Sequence, residues 1–244
     1  MAENKRFMRT KALLGDDGFA RLQAATVMIV GLGAVGGYAL EALARAGIGH
    51  LILVDFDKVD ETNINRQILA LSSTIGQPKA VVAAARVREI NPDCRVETRE
   101  VFVNAESLAA LLDNVKVDIV VDAIDSLNPK CGLMEALYCR NIPFISSMGA
   151  ALKTDPSHIR LQKLKNTRNC HLARFVRKRL TRRGVDTGKI VCVASDEQNA
   201  LPETALFMEE NATRHTMGSL PTITAIFGLT IANEVIMRIS RGQI

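Results

Sequence analysis

Residues 26–66 read TVMIVGLGAVGGYALEALARAGIGHLILVDFDKVDETNINR and decide the fold of the chain. A β-branched run at residues 26–30 meets three glycines in the spacing GxGxxG, after which apolar residues recur with the period of a helix. Residues 51–54 form a second apolar run, which ends at Asp55. Strand, glycine turn, helix and strand in this order are typical of a mononucleotide-binding βαβ unit.

The glycines of this turn, Gly31, Gly33 and Gly36, predict a phosphate site. Without side chains they let a phosphate approach the backbone, and the following helix offers unpaired N–H groups with a partial positive charge. Asp55 lies close to the offset of roughly 20 residues at which an acidic residue meets a ribose hydroxyl. Glycine turns also occur where a helix merely packs on a strand, but the acid at the strand end favours nucleotide binding.

Composition limits the class of protein. The chain has 244 residues, of which 48% are hydrophobic and 23% charged, with a net charge of +5, so we expect a globular domain with a large core. Its five cysteines never form CxxC, which argues against a zinc site; together with the absence of a signal peptide this predicts reduced thiols and a cytoplasmic protein. Polar residues interrupt the apolar region 220–239, which favours a buried terminal helix over a membrane span, so we expect no membrane partner.

Strand and helix patterns alternate along the chain as far as residue 147, with helices near 78–90, 104–114 and 128–140 and strands near 95–101, 117–123 and 143–147. This alternation predicts an α/β fold with a doubly wound, mostly parallel, Rossmann-like sheet. We expect a single domain over residues 1–244, made of a helical lead-in (1–25), a nucleotide-binding core (26–150) and a substrate-side extension (151–244). The extension predicts a strand at 159–164, a helix at 170–183, a strand at 189–194, a crossing loop at 195–217 and a terminal helix.

The loop after the second strand separates the nucleotide options. Asp55 is followed by Asp57, Asn63 and Arg66, whereas a dehydrogenase needs only the ribose-binding acid. Carboxylate, amide and cation groups are thus gathered where a triphosphate would lie, and a guanidinium can hold phosphate oxygens in a bidentate way.

Two further residues extend this cluster. Lys79, at the start of the next helix, can add a point charge for phosphate. Asp125 follows the strand near 117–123, and ligands bind beyond the carboxyl ends of such strands. Its carboxylate can hold Mg²⁺ while phosphates fill the other ligand positions.

The pieces RFMR, GLGAVGG, DFDKVDETNINRQ, GQPKA and DAIDS follow one another over roughly the first 150 residues. In these pieces the chain resembles the E1-like adenylating family, which includes the ubiquitin-activating enzymes and the bacterial ThiF, MoeB and HesA proteins. Within that family, INPDCRV, DAIDSLNPK and the absence of CxxC pairs are most similar to the branch of tRNA threonylcarbamoyladenosine dehydratases (TcdA, also called CsdL).

The resemblance implies ATP and Mg²⁺ as cofactors, with no zinc. It implies that Asp55 holds the ribose, that phosphates are bound by Asn63, Arg66 and Lys79, and that Asp125 binds the metal. Arg9 matches an arginine that reaches the nucleotide of the other subunit, which implies a homodimer. The lead-in also places Arg6 on the same side of a helix as Arg9, and a solvated helix face is the plainer interpretation of that pair.

The activity that the resemblance implies is ATP-dependent cyclisation, by dehydration, of N6-threonylcarbamoyladenosine in tRNA through activation of its carboxylate. Positioning and neutralisation of charge would then do most of the catalysis, and we name no catalytic base. A cysteine desulfurase or sulfur acceptor is a further partner compatible with this branch.

A basic stretch within residues 174–183 supplies the candidate RNA contacts. It contributes cations over about three turns of predicted helix, and the ones assigned to tRNA are Arg174, Arg177, Lys178 and Arg182. Such a run is commonly a solvated face, but the resemblance favours tRNA binding.

Three other functions stay open at this point. Activation of the C-terminus of a ubiquitin-like or sulfur-carrier protein would usually bring zinc-binding CxxC pairs, which the sequence lacks. An NAD-dependent oxidoreductase would leave the loop at residues 63–66 unexplained, and a nucleotide-sensing module would perform no chemistry. ATP consumption that depends on modified tRNA would separate the first function from these.

Overall fold

The structure, a computed structural model, describes residues 5–113, 115–198, 205–207 and 216–244. The helices are α1 (Met8–Ala24), α2 (Gly36–Ala46), α3 (Lys79–Ile90), α4 (Ala105–Leu112), α5 (Leu127–Cys139), α6 (His171–Arg182) and α7 (Pro221–Ser240). The strands are β1 (Thr26–Val30), β2 (His50–Val54), β3 (Arg95–Arg99), β4 (Ile119–Asp122), β5 (Phe144–Ser147), β6 (Ile159–Lys163), β7 (Val191–Ser195), β8 (Leu206–Phe207) and β9 (Thr216–Met217). Short 3-10 turns lie at Lys5–Phe7, Glu61–Asn63, Pro156–His158 and Leu164–Asn166.

The main sheet has the strand order β3-β2-β1-β4-β5-β7-β6 and is parallel except for β6, which pairs antiparallel with β7. The chain moves outward from β1 to β3 and then returns to the other side of β1, so the order reverses between β1 and β4. Ligands of such sheets bind at this reversal, beyond the carboxyl ends of the strands. The predicted doubly wound, mostly parallel fold is confirmed.

The strands are apolar on both faces because helices cover both. In β1, Val27 and Ile29 pack into one core with α2, α3 and α7, while Met28 and Val30 pack into another with α4 and α5. Continuous apolar runs are what a parallel sheet covered on both sides requires. A third core lies between α5, α6 and β7.

Helix α7 is buried against the first core. Its residues Ile223, Phe227, Ile231 and Val235 are inaccessible to solvent, as predicted for a terminal core helix. It is also the one helix in the described part of the chain that is long and apolar enough to cross a membrane, and this core packing accounts for that composition. At Gly228 a Cβ would lie 2.4 Å from the carbonyl oxygen of Val35, so a glycine is needed where α7 crosses the start of α2.

The structure differs from the sequence predictions at both ends of the chain. Arg6 lies in a 3-10 turn before α1, so it does not share a helix with Arg9 as predicted. Most of the predicted crossing loop, 195–217, lies outside the described residues. Of its described residues, 206–207 and 216–217 form the short antiparallel pair β8 and β9. The division of the chain into lead-in, core and extension stays a prediction.

Candidate active site

The carboxyl ends of three strands meet in one row. Val30 pairs with Val54 on one side and with Asp122 on the other, so the residues that follow them lie at the same edge of the sheet. Backbone hydrogen bonds continue past the strands: the amide of Gly31 donates to the carbonyl of Val54 at 2.8 Å, and the amide of Ala123 donates to the carbonyl of Val30 at 2.9 Å. The glycine turn, Asp55 and the loop that carries Asp125 are therefore brought together, as predicted.

At two of the three positions in the glycine turn, a side chain would clash with the backbone of the protein itself. Gly31 has a φ of 90°, and a Cβ there would lie 2.9 Å from the carbonyl oxygen of Ala123. A Cβ on Gly36 would lie 1.8 Å from the carbonyl oxygen of Gly31. At Gly33 a Cβ would approach only the side chain of Gln67, at 3.7 Å. Gly33 thus has no steric reason within the described chain to be glycine, as expected where a ligand approaches the backbone.

Asp55 ties the second strand to the glycine turn. One carboxylate oxygen accepts a hydrogen bond from the amide of Leu32 at 2.6 Å, and the other accepts one from the amide of Asp57 at 2.8 Å. Burial raises the pKa of the Asp55 carboxyl, although both hydrogen bonds and the charge of Lys79 oppose the rise. Each oxygen retains a second lone pair, so the carboxylate can still accept from a ribose hydroxyl.

Lys79 is held in place by Asp57, two residues after Asp55. Its side chain is buried, its Nζ lies 3.2 Å from Oδ2 of Asp57, and its amide donates to the carbonyl of Asp57 at 2.9 Å. The cation is therefore fixed at the carboxyl edge before any ligand arrives. An anion approaching the turn would meet a positive charge that needs little rearrangement.

The loop at residues 60–66 holds the other two predicted phosphate ligands. Asn63 is buried and closes a capping box with Asp60, whose amide donates to Oδ1 of Asn63 at 3.3 Å. Arg66 is half-buried, and one of its terminal nitrogens donates to the carbonyl of Thr62 and to Oδ1 of Asn65, both at 2.8 Å. The guanidinium keeps further N–H donors, which is compatible with a phosphate contact.

Asp125 lies on an exposed loop whose base is rigid. Beneath it, the Nζ of Lys130 donates to Oδ2 of Asp122 and to the carbonyl of Ile124, both at 2.8 Å. Ser146 donates to the same Asp122 oxygen at 2.7 Å, and the amide of Ile124 donates to the other at 3.1 Å. Lys130 and Asp122 are fully buried, so this network fixes the turn that presents Asp125.

Sequence reasoning missed Lys130. A lysine on a helix normally keeps its charged end in water, so nothing in the helical pattern predicts its burial. The available signal was Asp122, a charged residue inside a continuous apolar strand, because a buried carboxylate requires a partner.

Arg9 is not brought to the site of its own chain. Arg6 donates to two carbonyls at the end of α3, at 3.3 and 3.4 Å, and Phe7 packs beside Gly47 at the end of α2. Both helices begin at the carboxyl edge, and the 11 residues of α2 span about 16 Å. Arg9, two residues after Phe7 and exposed, therefore lies at the opposite edge from the glycine turn.

A cleft of about 750 Å³ lies on the outer side of α2 and α3. It is lined by the first 3-10 turn, the two helices and the segment 68–77. Exposed apolar side chains lie in or next to that segment and at the start of α3, namely Leu71, Ile75 and Val81. An apolar surface of this kind is typical of a contact between proteins.

The cysteines and histidines that the structure describes show no second site. Burial raises the pKa of the Cys192 thiol to about 12 and that of Cys94 to about 11, which suits packing rather than nucleophilic chemistry. Cys139, at the end of α5, is exposed. No cluster of three or more His, Cys, Asp or Glu fit for a metal occurs within the described ranges. A magnesium ion would thus depend on Asp125 and on oxygens of its ligand.

The basic residues of α6 fall into two groups. One group ties the helix to the rest of the fold: Arg177 binds Thr167 and Arg179 binds Asn128. Arg183, which follows the last residue of the helix, adds a contact with Glu135. Arg174, Lys178 and Arg182 are exposed and follow one another at intervals of four, which places them along one face. We call these three the α6 stripe. They form no hydrogen bond or ion pair with other described residues, whereas Arg177 has a structural partner that the sequence did not indicate.

Comparison with known proteins gives the same family as the sequence motifs. The model of the ThiF family matches residues 5–243. The chain belongs to the ThiF family. The predicted membership in this family is thus confirmed, and membership disfavours the oxidoreductase alternative.

Several relatives of this ThiF family member carry names of enzymes. It is 42% identical over 191 residues to the tRNA threonylcarbamoyladenosine dehydratase of Bacillus subtilis, which covers 78% of this chain and 74% of the relative. The Haemophilus influenzae enzyme of that name is 35% identical over 98% of this chain and 95% of the relative. The molybdopterin-synthase adenylyltransferase of H. influenzae is 35% identical, but over only 57% of this chain and 56% of the relative.

A solved structure extends the likeness over the whole fold. The tRNA N6-threonylcarbamoyladenosine dehydratase TcdA of Escherichia coli in complex with ATP superimposes with a TM-score of 0.87 and 34% identity, over 97% of this chain and 94% of TcdA. Its AMP complex gives a TM-score of 0.88 over the same shares. The roles of individual site residues, the magnesium ion, the homodimer, the sulfur partner and the cytoplasmic location stay predictions.

Proposed function

We propose that this chain is an ATP-dependent tRNA threonylcarbamoyladenosine dehydratase. A carboxylate oxygen of the modified adenosine attacks a phosphorus of ATP and displaces either pyrophosphate, from the α-phosphorus, or ADP, from the γ-phosphorus, which gives a mixed anhydride. An internal nucleophile then attacks the activated carbonyl carbon, the phosphate group leaves with the carboxylate oxygen, and the ring closes with net loss of water. The supporting observation is the full-length likeness to the ATP complex of E. coli TcdA, combined with the charged cluster at the carboxyl edge of this chain.

The residues at the carboxyl edge fit a bound nucleotide. Asp55 would accept from the ribose, and the open backbone at Gly33 would lie against a phosphate. Lys79 and Arg66 would bind phosphate oxygens, which neutralises charge on the leaving group as the new bond forms. Asp57 keeps Lys79 in place through its 3.2 Å contact.

Asp125 is the residue of this edge that suits a divalent cation. Its carboxylate is exposed, and its only hydrogen bond within the described chain comes from Ser126 at 3.2 Å. When bound there, Mg²⁺ would polarise the phosphate oxygens. The network of Lys130 and Asp122 below would hold the carboxylate in position.

A mass measurement tests the activity. The full chain is incubated with ATP, Mg²⁺ and tRNA that carries threonylcarbamoyladenosine, and the nucleosides are analysed after digestion. We expect the modified nucleoside to lose the mass of one water, with ATP consumed only when this tRNA is present. An unchanged nucleoside mass with folded protein would reject the proposal. ATP–pyrophosphate exchange without tRNA, but with a carrier protein, would favour the carrier-activating alternative.

Substitutions test the site. Arg66→Ala and Asp125→Ala should fold normally, because neither side chain lies in a core, and should lose ATP turnover. Lys116→Ala removes an exposed charge just before β4, at the opposite edge of the sheet, and is the matched control that should retain ATP turnover with modified tRNA. Full turnover in either site variant would remove its assigned role.

The position of Arg9 supports a homodimer in which each site receives this arginine from the other copy. In its own chain Arg9 lies at the far edge of the sheet, while exposed apolar residues beside the cleft on α2 and α3 offer a contact surface. The arrangement would complete two equivalent sites around a two-fold axis.

Mixed dimers test this arrangement directly. Arg9→Ala and Asp125→Ala chains are co-expressed with different tags, and the mixed dimers are purified on both. One site of each dimer then has both wild-type groups, so activity should be about half that of the wild type, although each parent is inactive. Mixed dimers as inactive as their parents would show that Arg9 does not act across subunits.

A further inference from the structure

One exposed aromatic side chain lies within the basic surface of α6. Phe175 is 46% exposed, and the guanidinium carbon of Arg174 lies 4.9 Å from the centre of its ring. The core side of the same helix is filled by Ala173, Val176 and Leu180. Phe175 lies outside this core contact, and nearly half of its surface stays open to a partner.

The surroundings of this ring select the chemistry of the partner. Residues 163–189 contain ten Lys and Arg and one Asp, whereas the rest of the chain carries 21 basic and 25 acidic residues. The positive charge of the protein is thus concentrated in this segment. Arg174 and Lys178 of the α6 stripe flank Phe175 along the helix and have no ion-pair partner in the part of the chain that is described. A polyanion with apolar faces fits this surface better than an apolar protein patch does.

Helix α6 also begins near the edge of the sheet that holds the site. Its capping residue Cys170 lies 4.0 Å, through its sulfur, from the carbonyl of Gly149, which follows the carboxyl end of β5. Arg179 binds Asn128 in the first turn of α5, three residues after Asp125. Phe175 lies between these two contacts, on a helix that packs beside the edge to which the reacting nucleoside must come.

We propose that Phe175 is a stacking platform for an unpaired base of the RNA that the α6 stripe binds. This inference rests on the proposed function for the identity of the RNA as tRNA. An aromatic ring offers its face to any base, while neighbouring cations hold the phosphates, and this combination selects unpaired over paired nucleotides. The stripe supplies attraction to any RNA, and Phe175 adds preference for a loop.

Two RNAs of equal length test the inference: a hairpin with an unpaired loop, and a fully paired duplex. Their affinities for the full chain are measured by fluorescence anisotropy over a salt series, without ATP. Phe175→Leu should weaken hairpin binding about tenfold and leave duplex binding unchanged. The salt slope should stay the same for both RNAs because no phosphate contact is lost.

Two further variants make the outcome specific. Phe175→Tyr keeps the ring and should keep hairpin affinity. Leu13→Ala removes an apolar side chain that is 84% exposed on α1 and should change neither affinity. Equal hairpin affinities of Phe175→Leu and wild type, or equal losses for hairpin and duplex, would overturn the stacking role. The dehydratase proposal would survive either result, since it is rejected only by the nucleoside mass.

Discussion

Cations at the carboxyl edge of the sheet and cations on α6 have opposite surroundings. Lys79 and Lys130 are buried, and each contacts an aspartate at 2.8 to 3.2 Å. The α6 stripe is exposed and has no such partner among the described residues. The first arrangement fixes charge in place for chemistry, because a preorganised charge costs no rearrangement during reaction. The second would keep its counterions until the proposed RNA displaces them, which is how exposed cations contribute to affinity.

The largest expected effect separates the two kinds of glycine at the edge. Gly36→Ala should prevent folding, because its Cβ would lie 1.8 Å from a backbone oxygen. Gly33→Ala should fold normally, with ATP affinity reduced by about tenfold or more, since only a ligand approaches that position. Circular dichroism and ATP titration check the pair. A folded Gly36→Ala protein, or undiminished ATP binding by Gly33→Ala, would contradict this division.

Buried and exposed lysines should differ in their contribution to stability. Lys130→Met leaves Asp122 buried without its partner and should lower the free energy of unfolding by about 3–5 kcal/mol. Lys178→Met, on the α6 stripe, should change it by less than about 0.5 kcal/mol. Urea denaturation measures both. Similar values for the two variants would mean that the paired and unpaired cations are not energetically distinct.

For RNA binding, we expect the exposed, unpaired cations to contribute more than a paired one. Replacing Lys178 and Arg182 together by Gln should weaken tRNA binding and lower the salt slope of the affinity by about 2. Arg45→Gln is the matched control, because Arg45 is exposed but paired with Glu41 at 2.7 Å on the other side of the sheet. Its slope should equal that of the wild type. A larger loss of tRNA affinity in Arg45→Gln than in the double variant would place the RNA on another surface.

The smallest effect concerns Glu41, which is paired on the outer surface of α2. Burial raises the pKa of its carboxyl, but hydrogen bonds from Arg86 and Arg45 outweigh this and leave the pKa below its ordinary value. A carboxyl with a lowered folded pKa stabilises the fold above its unfolded pKa, and this stabilisation is lost as pH falls through the folded value.

Glu41→Gln should therefore lower the free energy of unfolding by about 1 kcal/mol at pH 7. The difference from wild type should shrink between about pH 5 and pH 3. Urea denaturation at several pH values follows it. A difference that grows as pH falls would show that the carboxyl is destabilising when charged.

The fold could be predicted from the sequence because the period of the apolar residues and the length of each apolar segment distinguish strands from helices. Continuous apolar runs such as residues 26–30 predicted buried parallel strands, and the helices between them ended within a few residues of the predicted limits. The antiparallel direction of β6 was not readable, since a short strand pattern at residues 159–164 says nothing about its neighbour. The spacing of the glycines and the acid after β2 predicted where the site lies. Both follow from the backbone, because the turn excludes side chains and Asp55 accepts hydrogen bonds from backbone amides.

What the sequence could not provide was the pairing of charges across the fold. Lys130 and Arg177 look like their exposed neighbours in a helical pattern, yet one is fully buried and the other is bound to Thr167. Which cation is free depends on contacts between distant segments. Arg9 is a similar case, since its distance from its own site follows only from the packing of Arg6 and Phe7 at the far ends of α2 and α3.

The proposed homodimer, in which Arg9 completes the site of the other copy, has a consequence for how activity depends on protein concentration. A site that is finished by a second copy works only while two copies are together, so turnover per chain would fall on dilution through the dissociation range of the pair. Activity in the cell would then rise faster than the concentration of the protein. A cell that makes little of it would have almost none of its catalysis.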